Sequence, residues 1–194
     1  MRIAITALLV LAPLPAVADA RLADDDTFAI APHRPFSIAA GVVAGTPAAL
    51  PTGLATGAGA TVTRACTCWL SYGARLAAQT ATGSSIAWTV RHDDIQVRGF
   101  AMARYVVGRG ELGLRLGLGP TVVHESRSRN QSAPGSDIGT SATAVVPAVD
   151  IEAVVIVRVA GRWGGVVHAG PTLDRVAGAT RAGWVAGLEV AWQL

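Results

Sequence analysis

The stretch Arg181-Ala182-Gly183-Trp184-Val185-Ala186-Gly187-Leu188-Glu189-Val190-Ala191-Trp192-Gln193-Leu194 closes the sequence. Taken alternately, it sets Trp184, Ala186, Leu188, Val190, Trp192 and Leu194 against Gly183, Val185, Gly187, Glu189, Ala191 and Gln193. A period of two is that of an extended strand, whose successive side chains point to opposite faces. One face is apolar with an aromatic near each end; the other is small or polar. That division suits a strand with lipid outside and a polar lumen inside, as in a closed transmembrane barrel. Trp184 and Trp192 share a face, and at about 3.3 Å per residue they stand roughly 26 Å apart along the strand. A tilt of ~40° leaves about 20 Å along the membrane normal, close to the ~25 Å apolar band of such barrels.

Upstream, the same rhythm recurs between turn residues, so that eight segments are expected. They run over Pro35–Ala44, Gly53–Arg64, Trp69–Gln79, Ile95–Val107, the run around Leu112–Leu118, Ala148–Ala160, Gly165–Asp174 and Arg181–Leu194. The fifth is the most regular: Leu112, Leu114, Leu116 and Leu118 alternate against Glu111, Gly113, Arg115, Gly117 and Gly119. Connections two to three, four to five and six to seven are short. The others are longer or more polar, including Thr80–Asp94, whose core Ile86–Val90 has the pattern to extend a strand above the membrane, and the Ser- and Arg-rich Glu125–Thr143. Short turns on one side and long loops on the other put both chain ends on the periplasmic side of an outer membrane. A soluble β-sandwich shares the alternation but has no reason to alternate its loop lengths.

The amino terminus agrees with export. Arg2, the apolar run Ile3–Ala12, Pro13, Pro15 and Ala18-Asp19-Ala20 read as a signal peptide over residues 1–20 with cleavage after Ala20. Residues 21–34, acidic at Asp24–Asp26 and then broken by proline, read as a periplasmic lead-in to a barrel over 35–194. The apolar residues make up 51% of the chain, yet no later run of eighteen is uninterrupted, so dispersal by alternation carries the hydropathy.

All 16 basic residues are Arg. With no basic cluster interleaved with aromatics, nucleic acid is not an expected partner. Cys66-Thr67-Cys68 reads as two thiols at a hairpin turn, since residues two apart on a strand cannot close a relaxed disulfide. The nearest His to the cysteines is His92, so no metal site is expected there.

Strand phase then assigns a lumen. Arg75, Arg98, Arg104, Glu111, Arg115, Asp150, Glu152, Arg158, His168 and Glu189 fall on the inward face, and mixed charges in a narrow bore should pair. Arg104 with Glu111 and Arg115 with Glu152 are the expected neighbours; a gated ion path is the alternative to a salt-bridge core. Tyr105, Trp163, Trp184 and Trp192 would form the aromatic girdles.

On these residues the chain resembles the small eight-stranded outer-membrane barrels of the OmpA/OmpX class. Gly187, Val190, Trp192 and Leu194 look like the carboxyl-terminal signal that such barrels present to the insertion machinery, with Leu194 where an aromatic is usual. The resemblance implies an all-β, eight-stranded antiparallel up-and-down transmembrane barrel, non-enzymatic, whose outer loops contact lipopolysaccharide or external partners.

Two further readings remain. His124-Glu125-Ser126 is similar to the His-x-Ser of the eight-stranded barrel enzymes that deacylate lipid A, where a carboxylate would orient His124 toward Ser126. Asp137 and Asp150 are the carboxylates weighed for that role. A soluble exported β-barrel binding an apolar ligand would instead reverse the faces and put Leu112–Leu118 inside. Arg91-His92-Asp93-Asp94 with Arg127 and Arg129 form a charged outer cluster suited to phosphate or an external ligand. No phosphate loop, nucleophile elbow or metal box is visible, and no cofactor is expected.

Overall fold

Alternation of β-branched or aromatic residues with small and polar ones becomes a closed sheet. A computed structural model describes residues 36–47, 53–66, 69–84, 87–107, 110–129, 139–176 and 178–193. The strands are β1 (Phe36–Gly45), β2 (Ala55–Ala65), β3 (Leu70–Ser84), β4 (Trp88–Val107), β5 (Gly110–Arg129), β6 (Thr140–Ala160), β7 (Trp163–Val176) and β8 (Ala179–Gln193). Each pairs antiparallel with its neighbours in sequence, and β8 closes the ring on β1 through pairs such as Ala40↔Val190. Closure leaves the membrane band without a sheet edge, which lipid would not tolerate because backbone groups there find no water. The signal-peptide and lead-in readings, Cys68, Asp137 and Leu194 lie outside the described residues.

The two faces are inverted relative to a soluble protein. Leu112, Leu114, Leu116 and Leu118 all point outward, Leu118 being 64% exposed, whereas Arg98 on the adjacent strand is 2% exposed. This overturns the soluble-barrel reading: its ligand cavity would need those leucines inside. Ile38, Val62, Leu76, Val97, Ile151, Val167 and Leu188 continue the outward apolar band around the ring.

Strand ends depart from the sequence expectation at the outer side. Thr80–Asp94 is not a connection, because β3 runs to Ser84 and pairs through Ser84↔Thr89 with β4. Nor is Glu125–Thr143 all loop: Arg91↔Ser126 and Arg127↔Thr140 extend the ladders on both sides of β5. Above the apolar band the outward face is solvated too, so hydropathy no longer alternates while backbone pairing continues, with His92 and Val123 still buried on the inward face. The β7–β8 connection is also shorter than expected of an outer loop, since Val176 pairs with Ala179 across a turn in which Gly178 has φ of 83°. That left-handed conformation is one glycine adopts without steric cost.

Candidate functional site

Inside the ring, the arginines of β3 and β4 reach across the bore, and that of β5 across the adjoining ladder, to carboxylates on β6. Arg75 donates to both oxygens of Glu152 at 2.8 and 2.9 Å and to Asp150 at 2.9 Å. Arg98 Nε donates to the same Asp150 oxygen at 2.9 Å, and Arg115 to Glu152 at 2.6 Å. His168 Nδ1 lies 2.5 Å from Glu152, with Nε2 3.6 Å from Glu189. Thr172 and Thr61 complete the set by donating to Asp150 at 2.7 Å and to Glu189 at 3.0 Å. Opposite charges at such distances offset the desolvation that a narrow lumen imposes.

The ladder itself is modified to admit this network. Between Gln96↔Thr121 and Gly99↔Leu118 the β4–β5 pairing skips Val97 and Arg98, opposite Gly119 and Pro120. Proline has no N–H to give. Arg98 donates to the acceptors that the gap leaves open: its Nη1 to the Pro120 carbonyl at 2.7 Å and to those of Val97 and Gly119 at 3.3 Å, and its Nη2 to Thr121 Oγ1 at 2.7 Å. A second gap in β6–β7 falls at Ile151 and Glu152, on the strand carrying both central carboxylates, opposite Gly170 and Pro171.

Toward the end that carries the β2–β3, β4–β5 and β6–β7 turns lies an apolar tier of Ala39, Phe100, Met102, Val154, Ile156, Val166 and Ala191. Its cavity is about 30 Å³, room for two or three waters at roughly 10–15 Å³ each. The Arg115 guanidinium roofs it, 5.1 Å from the Phe100 ring centroid. Below, Arg104 is 3.4 Å from Glu111. Arg158 is half-buried near the turn end, at an irregularity in the β6–β7 register.

Gly187 has a role distinct from the carboxyl-terminal signal. A Cβ built on it would stand 2.2 Å from His168 Nε2, so the absent side chain leaves the space that the imidazole fills. Gly187→Ala is therefore expected to displace His168 from between Glu152 and Glu189 and to destabilise the barrel by about 1–3 kcal/mol, the usual cost of overpacking. Urea unfolding of wild type and variant checks it; equal midpoints would show that the pocket has slack.

The aromatic positions divide by height. Tyr105, Trp163 and Trp192 are exposed at the turn end, where Trp163 and Trp192 pack with ring centroids 6.2 Å apart. Phe36, Trp69 and Tyr72, which sequence reasoning passed over, lie exposed at the same end of β1 and β3, with Arg64 stacked 5.2 Å from the Phe36 centroid. Trp184 is exposed toward the outer end of β8, and Val190 faces outward in its lower half. Cys66 is exposed at the β2–β3 turn, its N–H donating to the Leu70 carbonyl at 3.0 Å.

Beyond the apolar band, β4, β5 and β6 continue as a projecting ribbon. Pairing of β6 with β7 ends at Ala148↔Asp174, so Thr140–Pro147 is paired only with β5 among the described residues. On one face Arg129 stacks 5.9 Å from the Trp88 ring centroid and Arg127 ion-pairs with Glu125. His92 is buried beside them, Nε2 3.7 Å from Glu125. Asp94, the last residue of the charged outer cluster, is buried just below together with Asp174, which was not among the sequence candidates. On the other face Arg91 bonds Asp93 at 3.0 Å. The Thr80 hydroxyl, and after it Arg91, holds the Asp93 carboxyl below its ordinary value.

His124 and Ser126 also lie on that outer face, but a hydrogen bond joins His124 Nδ1 and Thr143 Oγ1, 2.9 Å apart. Asp150 is engaged inside the lumen with Arg75, Arg98 and Thr172. The geometry does not favour an acyl-transfer triad. Among the described residues, no group of three His, Cys, Asp or Glu side chains is placed to hold a metal ion.

No protein-family model matches the sequence, and no curated protein matches it. Solved structures do match. Ail, the attachment invasion locus protein of Yersinia pestis, aligns with a TM-score of 0.50 at 12% identity, over 82% of this chain and 99% of Ail. Ail in complex with the heparin analogue sucrose octasulfate aligns at 0.49 and 13% identity, over 81% and 97%. Neisserial surface protein A aligns at 0.45 and 10% identity, over 82% and 97%. At these identities the Ail match concerns backbone path: the chain has the fold of the small eight-stranded outer-membrane barrels.

Proposed function

We propose that this protein is a non-enzymatic integral barrel of an outer membrane, delivered by the signal peptide over residues 1–20 and recognised by the insertion machinery through its last strand. One observation carries the reading: an unbroken outward band of Leu, Val and Ile encloses a lumen of Arg, Asp and Glu. In water that band would far exceed the few hundred Å² of contiguous apolar surface that soluble monomers expose; in lipid it costs nothing. Because Arg75 and Arg98 bridge the bore from β3 and β4 to β6, the charged lumen acts as a structural core and not as an ion path.

The projecting β4–β6 ribbon is the element that meets the exterior. Among the described residues, Thr140–Pro147 is unpaired on the edge away from β5 and carries no charged residue, and such an edge offers backbone N–H and C=O groups to an extended segment of an external partner. Fractionation tests the location. The folded protein is expected in the outer membrane, with migration on a gel that shifts on heating; folded protein in the soluble periplasm would overturn the proposal.

A further inference from the structure

On the outside of the barrel, at the outer end of the apolar band, lies a groove of about 660 Å³ across β5, β6, β7 and β8. It arises where the outer surface steps inward. β7 and β8 turn back at Val176–Ala179 while β6 continues upward, and Pro120 and Pro147 sit side by side on β5 and β6. These short rings leave a depression between the longer Leu118, Val149 and Leu173. The groove is continuous with the lipid-facing band below it and is bounded above by Arg175 and Thr180 on β7 and β8 and by Val145 on β6. Arg175 is exposed and points outward, and among the described residues it has no ion-pair partner.

An apolar depression with a guanidinium at its upper rim fits a ligand with hydrocarbon below and an anion above. From β5 to β8 the groove spans three strand spacings, about 14 Å, wider than one hydrocarbon chain needs. Arginine hydrogen-bonds phosphate through a planar fork, two N–H groups to two oxygens. We infer that this groove seats several acyl chains of a phosphorylated outer-leaflet glycolipid and that Arg175 holds its phosphate. The inference rests on the outer-membrane reading and adds to it a defined lipid site, separate from the ribbon.

The test uses the full chain folded in neutral detergent, with bound lipid measured by native mass spectrometry. The probes are hexa-acylated bis-phosphorylated lipid A, its dephosphorylated form and phosphatidylglycerol. Phosphorylated lipid A is expected to bind the wild type most tightly. Dephosphorylation, or Arg175→Gln, should weaken it about tenfold, as expected for loss of one hydrogen bond to a charged group. Val149→Trp, which fills the groove, should weaken both forms of lipid A, whereas Arg162→Gln at the periplasmic turn should change neither. Equal binding of the two lipid A forms to the wild type would overturn the inference even if no variant folded. Phosphatidylglycerol binding as tightly as lipid A would also overturn it. Insertion into vesicles, assayed separately, distinguishes failure of the membrane reading from failure of the groove alone.

Discussion

Glu152→Leu is expected to destabilise the barrel by about 3–5 kcal/mol, the range for removing one member of a buried ion pair and leaving its partners charged. Three groups depend on this carboxylate: Arg75 at 2.8 Å, Arg115 at 2.6 Å and His168 at 2.5 Å. None has a second route to water, each being at most 4% exposed at its side chain. Arg115→Leu should be milder, about 1–3 kcal/mol, because Glu152 keeps Arg75 and His168 and loses one charged hydrogen bond. Urea midpoints of the three proteins refolded in one detergent give the comparison. Equal midpoints for the wild type and Glu152→Leu would mean that water, and not Glu152, satisfies the two guanidinium groups.

The contrast between those substitutions marks what the sequence could convey. Alternation fixes the phase of each strand, and phase separates Leu112–Leu118 from Glu111 and Arg115 without knowledge of the neighbours. Pairing of adjacent strands then brings together Arg115 and Glu152, which stand opposite each other in the β5–β6 register. Arg75 is different. It crosses the lumen from β3 to β6, and no one-dimensional pattern records which residues share a height once the strands are tilted and staggered into a ring. The space made by Gly187 for His168 was hidden for another reason, since those two face each other directly in the β7–β8 register. A glycine on an inward face is common enough that only the imbalance of one large and one absent side chain hints at it. The ribbon was missed because its strands leave the lipid: His92, Glu125 and Thr143 continue the ladders in a medium that no longer sorts polar from apolar. In each case the backbone pattern persists after the hydropathy signal that would reveal it has ended.

Hydropathy and solvent meet most directly at Leu116, inside the outward apolar run Leu112–Leu118 of β5 and 50% exposed. Leu116→Arg is expected to cost about 2–4 kcal/mol for folding into phospholipid vesicles, the penalty for a guanidinium at the bilayer midplane. The same substitution at Val159, close to the periplasmic turn and 74% exposed, should cost only about 0–1 kcal/mol, because the side chain reaches the interface. Depth, not exposure, therefore orders the two effects. A barrel surrounded by water would show no such order: replacing an exposed Leu or Val there changes stability by about 0.5 kcal/mol or less in either direction. Urea titration of folding in vesicles measures both variants against the wild type. If Leu116→Arg folds as well as Val159→Arg, the apolar band does not face hydrocarbon, and the inverted distribution of Arg98 and Leu118 would need a protein partner around the barrel to explain it.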